Sequence, residues 1–299
     1  MESVIVAFQM GIWIIISVMV FLIILFVYLF IILIILVFLT IIWLYPIVWA
    51  ILTSFKPEAE IRRAGYSFWP ELWSSENYDE ILRDNTSTPI VSWFSNSLIV
   101  SIAVALLSAL VTALASYGYG RLKWKGRDAL FLALLSTMMF PGIVNIIPLY
   151  DIMNRLSLIN TRWALILPGL ASVGNLFLTR QFALSIPRSL DESAVIDGAN
   201  HLQIFTRIFV PLMRPVLTVI AIFSFTGTWN DFLWPSVVMT GIDNLTITPG
   251  LQLLQGQYQT FPGVGTAGAL IALVPPFLLY LVARKYFTES MSLGSGIKG

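Results

Sequence analysis

Six stretches of apolar residues separated by polar segments dominate the chain, at about residues 25–52, 93–117, 129–149, 163–184, 212–229 and 267–283. A helix needs about 20 predominantly apolar residues to cross a hydrocarbon core of about 30 Å. Each stretch therefore predicts one membrane span, and together they predict an all-α polytopic bundle with six core spans.

The first apolar region is longer than one span requires. From Ser3 to Phe55 it holds no ionisable side chain except tyrosine. As a single helix it would measure roughly 80 Å at 1.5 Å per residue. Residues 1–24 are set apart as a hydrophobic N-terminal extension, and residues 25–299 as the transmembrane domain. No Gly or Pro between Gly11 and Pro46 marks a turn, so the extension reads either as an extra span or as a helix lying along the membrane. With no Lys or Arg in the first 55 residues, and an apolar run too long for a signal peptide, no cleavable signal is expected.

Charge lies in the connecting segments and orients the bundle. Eleven of the 17 Lys and Arg residues fall on one set of loops, at 120–128, 179–214 and the C-terminal tail; six fall on the other set. Short cytoplasmic loops carry the excess of Lys and Arg, so the first set is expected in the cytoplasm. The acidic segment 56–92 is then expected outside.

Composition narrows the chemistry. The chain is 58% hydrophobic and 11% charged, with a mean hydropathy of +0.85, whereas soluble domains carry about 25% charged residues. A net charge of +1 shows none of the basic excess of a nucleic-acid binder. The absence of cysteine and the single His201 leave no disulfide framework, thiolate metal site or histidine cluster. The tail sequence GSGIKG lacks the spacing of a phosphate-binding loop, and no catalytic set stands out. The chain is read as a non-enzyme that binds no cofactor.

One loop, within residues 185–215, carries a distinctive pattern: LDESAVIDGANHLQIFTRIFVPLMRP from Leu190 to Pro215. Asp191 and Glu192 open a helix, where carboxylates favour the positive end of the dipole. Ser193, Ala194 and Ala199 are small, and Gly198 permits a bend or a close contact. Ile204, Phe205, Ile208 and Phe209 follow at helical spacing. Pro211 either ends that second helix or sits in the first turn of the next span. The pattern predicts a helix, a glycine corner and a second helix, presenting an exposed knob suited to a groove on another protein.

This loop resembles the EAA motif of ABC importer permeases, roughly E-A-A-x-x-D-G-A, then F-x-x-I, then P-L. Glu192, Ala194, Asp197, Gly198, Ala199, Phe205, Ile208, Pro211 and Leu212 match in register, Ser193 replaces an Ala, and Val195 stands where Arg is common. From about residue 45 to the end, YPIVWAILTSFKPEAEI, GTWNDFLWP and the tail KYFTESMSLGSGIKG are similar to the carbohydrate-importer branch. Within it they are similar to the shorter, MalG-like member of a permease pair.

The resemblance implies a maltose-type subunit of the bacterial inner membrane that forms a translocation path with a second, MalF-like permease. It also implies two cytoplasmic MalK-like ATPase subunits, which bind the ATP and Mg, and an extracytoplasmic solute-binding protein delivering a carbohydrate. Glu192 to Gly198 would then be the coupling helix seated in an ATPase cleft, and Lys298 and Gly299 would reach toward the same ATPase. A stand-alone secondary transporter is the alternative, although such proteins usually show internal repeats and intramembrane ionisable residues. A purely structural membrane scaffold would leave the shape of the loop unexplained.

Four further residues enter as a candidate substrate path: Trp229, Asn230 and Asp231 near the outer end of the fifth core span, and Asn145. Tryptophans at that depth also serve as interface anchors. Asn145 and Asn175 are equally read as interhelical hydrogen-bonding groups.

Overall fold

The computed structural model describes residues 2–63, 67–83, 88–257 and 261–295, and among these every regular element is helical. In order the helices are α1 (Glu2–Ser54), α2 (Glu58–Ile61), α3 (Glu76–Arg83), α4 (Ile90–Gly120), α5 (Arg127–Thr137), α6 (Ile146–Arg155) and α7 (Arg162–Gly169). Then come α8 (Val173–Ser185), α9 (Ser189–Ile196), α10 (His201–Ile204), α11 (Val210–Trp229), α12 (Leu233–Val238), α13 (Ile247–Gln257) and α14 (Pro262–Ser295).

Four described helices are long and apolar enough to cross a membrane: Ile16–Ser54 within α1, α4, the run His201–Trp229, and Pro262–Arg284 within α14. A fifth span forms if α5 and the segment Gly142–Arg155 are taken together across a bend of 96°. The bend falls where Pro141 disfavours helical backbone at the residue before it. The remaining apolar stretch, 163–184, is divided into α7 and α8. Pro168 lies in the last turn of α7, and α8 restarts with Ser172 at its N-cap accepting from the Asn175 N–H at 3.3 Å. The first apolar region is one unbroken helix through residue 24 and across Pro46, ending at Ser54. Pro211 does not end a helix: it sits in the first turn of α11, joined to α10 through a π-turn at Phe205–Phe209.

The core centres on α4, which packs against α11, α8, α7 and α13. Its inner face buries Asn96, Ser97, Ser101, Ser108, Thr112 and Ser116. Lipid tails are as apolar as the helices, so association in the bilayer depends on close packing and interhelical hydrogen bonds, and small polar residues supply both. Asn175 of α8 donates to Ser108 of α4 and Ser224 of α11, each at 3.4 Å. Interhelical bonding is thus what Asn175 does, as expected; Asn145 is exposed in the 3-10 turn Gly142–Asn145.

Two indoles repair helices at prolines. A helical proline has no N–H to give the carbonyl four residues before it. The Trp234 indole donates to Ala164 O at 2.9 Å, four residues before Pro168. The Trp229 indole donates to Ala272 O at 3.1 Å, four residues before Pro276. Gly250 leaves room for a third indole, since a Cβ there would lie 2.3 Å from the Trp93 ring.

Hydrogen bonds sort the connecting segments into two ends. At one, Trp93 donates to Ile242 O at 2.6 Å, Arg162 donates to Asn96 at 2.9 Å, and the Gly263 N–H opening α14 donates to Glu58 at 3.2 Å. Asn77, buried there, donates to Ser54 O and Lys56 O at the end of α1. At the other end lie the segments around Arg121 to Asp128 and around Pro187 to Asn200, linked by Arg121–Asp191 at 2.7 Å, while Arg180 of α8 pairs with Asp128 at 2.8 Å.

Candidate functional site

The loop singled out by sequence forms α9, a corner and α10. Asp191 and Glu192 lie in the first turn of α9, where the helix dipole favours them. Ser193 donates its hydroxyl to Ser189 O at 2.8 Å. Asp197 caps the C-terminus, and Gly198 follows with φ +82°, a conformation open to glycine because it lacks a Cβ. The Gly198 N–H bonds Val195 O at 3.0 Å, and the Ala199 N–H bonds Ala194 O at 2.9 Å. This pair of bonds is a Schellman motif, which satisfies carbonyls otherwise orphaned at a helix end. A Cβ at Gly198 would meet nothing within 4 Å. The corner therefore requires glycine for its backbone angle, and the close packing considered from sequence is not what holds it.

Asn200 then caps α10 in a reciprocal capping box with Gln203, each bond 2.9 Å. Ala194 turns inward onto Ile204, Phe205, Phe209 and Met213, with Tyr117 and Ala183 completing the cluster. Tyr117 meets Phe205 and Phe209 edge-on, with ring centroids 5.4 and 5.1 Å apart. Phe205 is thus the buried footing of the loop. Glu192, Val195, Ile196 and Asp197 face outward, Ile196 being 86% exposed. An apolar tip flanked by carboxylates stands clear of the bundle. Lys298 and Gly299 lie outside the described residues.

Sequence reading counted Arg121 only as a loop charge, and the structure makes it the latch of this loop. Its side chain is 3% exposed and pairs through Nε with Asp191. Nη1 donates to Ile186 O at 2.8 Å and Ala183 O at 3.3 Å, and Nη2 to Pro187 O at 3.2 Å. One guanidinium at the end of α4 thereby holds the end of α8 and the start of α9. No local signal identified it, because its partners lie more than 60 residues away in sequence.

The residues proposed as a substrate path separate. Trp229 is 2% exposed and packs in the core against Phe94 and Phe225. Its neighbour Asn230 is exposed, and Asn145 lies apart in its own turn. Asp231 instead lines a cavity of about 280 Å³ with Val100, Leu165, Thr228, Trp234 and Thr246. Burial pushes its carboxyl above the ordinary carboxylate value, opposed by the backbone N–H groups of Trp234 and Leu233.

No protein-family model matches the chain. It is 34% identical over 257 residues to the arabinooligosaccharides transport system permease protein AraQ of Halalkalibacterium halodurans, covering 85% of this chain and 91% of that protein. It is 31% identical over 260 residues to the diacetylchitobiose uptake system permease protein NgcG of Streptomyces coelicolor, covering 86% and 85%. It is 30% identical over 261 residues to the inner membrane ABC transporter permease protein YcjP of Escherichia coli, covering 87% and 92%. The fold is similar to a chain of a solved bacterial ABC transporter involved in the import of alginate, with a TM-score of 0.76, 24% identity and coverage of 85% and 94%. With these relatives matched over most of their length, the chain belongs to the sugar ABC transporter permeases, multi-pass proteins of the inner membrane.

Proposed function

We propose that this chain forms, with a second permease, the path of an ATP-driven importer for an oligosaccharide, and that α9 with its Gly198 corner is where cytoplasmic ATPases grip it. The observation that carries the reading is the exposed Val195–Ile196 tip, anchored by Ala194 and Phe205 below and latched by Arg121. An apolar tip at a surface outside the apolar spans is what a protein groove would cover.

Two ATPases closing on ATP would displace α9. The Arg121 latch would pass that displacement to α4, the helix most extensively packed in the bundle. Two states differing by a few kcal/mol are enough for nucleotide and substrate to bias them. Substrate would arrive on an external binding protein, and Lys298 and Gly299 would reach the ATPase beside α9. The similarity to permeases for arabinooligosaccharides and diacetylchitobiose supports an oligosaccharide as cargo.

Purification of the chain from its native membrane tests this. An ATPase and a second permease should co-purify, and the complex in liposomes should take up oligosaccharide only with ATP inside and binding protein outside. Uptake by this chain alone, driven by an ion gradient, would refute the proposal and establish a secondary transporter.

A further inference from the structure

Segment 67–73, which follows α2, folds back along α1. The Phe68 ring stacks on Tyr45, with centroids 5.6 Å apart and the planes 21° apart. Tyr45 precedes the end of α1 at Ser54 by nine residues, so the chain has doubled back along that helix by about 13 Å. It then returns: the Ser74 N–H donates to Phe55 O at 2.8 Å, and the Trp73 ring lies 6.0 Å from that of Phe55. Along this excursion Trp69, Leu72 and Trp73 are 64%, 65% and 61% exposed, at the end of the bundle opposite α9. Exposed apolar residues grouped in this way mark a surface that something covers.

Polar groups fasten the segment from within. Lys56 and Glu60 pair at 3.9 Å, both side chains nearly buried. Glu60 accepts from the Glu71 N–H at 3.0 Å and the Leu72 N–H at 3.3 Å, and Lys56 donates to Ser67 O. The Ser67 hydroxyl donates to Trp69 O, and Pro70 has no N–H to satisfy. Close to hydrocarbon, backbone polar groups need partners within the protein because lipid tails offer none. The segment meets much of that demand while turning three large apolar side chains outward. Glu71, its one carboxylate, reaches Arg63 at 3.5 Å.

What covers the patch follows from what it joins. Through Phe68 on Tyr45 it continues the exposed side of α1 around Trp43 and Tyr45, in a helix whose most apolar stretch has no buried residue. Trp and Tyr are enriched at the membrane–water boundary, where one part of the ring is apolar and another wet. We infer that segment 67–73 is a lipid anchor, with Trp69, Leu72 and Trp73 seated among the headgroups and upper acyl chains at this end of the bundle. Its role is to fix the level of α1. That helix runs for 53 residues, far beyond the 20 or so that one crossing needs, and anchors at the interface set how an overlong helix sits. The inference rests on the membrane fold and not on the importer reading.

Site-directed spin labelling tests it, since the chain has no cysteine of its own. Trp69→Cys, Leu72→Cys and, at an exposed control position, Ser75→Cys are introduced singly into the full chain. Each variant, purified with its companion subunits, carries a nitroxide in vesicles of phosphatidylethanolamine and phosphatidylglycerol. Collision with oxygen, which concentrates in lipid, is compared with collision with a water-soluble nickel chelate. The oxygen-to-nickel ratio should be several-fold higher at positions 69 and 72 than at 75, and either position decides should the other variant fail to assemble. A ratio as low as that at 75 would place the segment in water and overturn the anchor, including where an added external binding protein then excludes the nickel. Weak collision with both agents would show a protein surface over the patch, such as the second permease, and would equally overturn it.

Discussion

Replacing Gly198 separates the backbone from the partner. In the structure its φ is +82° and a Cβ would meet nothing within 4 Å. Ala and Leu therefore meet the same penalty, about 1–2 kcal/mol for an L-residue in left-handed backbone, and side-chain length adds little within this chain. Such a penalty depletes the Schellman corner about 5- to 30-fold relative to frayed alternatives. Asn, which tolerates this region, should lose less.

If an ATPase seats on α9, length matters again. Gly198→Ala should then lower the uptake per ATP hydrolysed modestly, and Gly198→Leu should do so several-fold more or release the ATPase. The assay is sugar uptake and phosphate release measured together in liposomes, normalised to assembled complex. Full coupling and a stable complex in Gly198→Leu would refute the assignment of α9 as the docking element. Equal defects in Ala and Leu would confine the effect to the backbone and refute close contact at the corner.

Three further outcomes are expected. An impermeant thiol reagent on intact cells should label a cysteine placed at Ser75 and spare one at Asn200, both exposed in the structure; the reverse pattern would invert the orientation. Arg121→Gln should strip Asp191 and the three carbonyls of their charged donor, costing about 1.5–3 kcal/mol for a hydrogen bond to a charged group. It should lower the recovery of ATPase-bound complex, and Arg121→Lys should not restore it because an ammonium cannot replace the planar fork. Asp231 carries a carboxyl whose folded value is raised by burial, so the folded state holds its proton more tightly and stability is lost as pH rises from the ordinary carboxylate range through the raised value. Asp231→Asn should therefore raise the thermal midpoint of the complex at neutral pH, with the gain fading as pH falls below that range; an equal gain at all pH values would contradict the burial argument.

Hydropathy and a few local signals determined a good part of this protein. Continuous apolar runs place the long helices because a bilayer offers backbone polar groups no other partner. Asp191 and Glu192 at the start of α9 and Gly198 at its end could be read because caps and corners depend on residues only a few positions apart, whereas the sequence left Pro211 open between ending a helix and opening the next. The tertiary structure alone decided the rest. It set the 96° bend after α5 and the division of α7 from α8. It drew Trp229 into the core while leaving its neighbour Asp231 on a cavity. It also brought Arg121 to Asp191 and Trp234 to Ala164, pairs 70 residues apart. Such pairings follow from how helices cross, and a pattern of spacing within one helix carries no record of what the next helix brings to it.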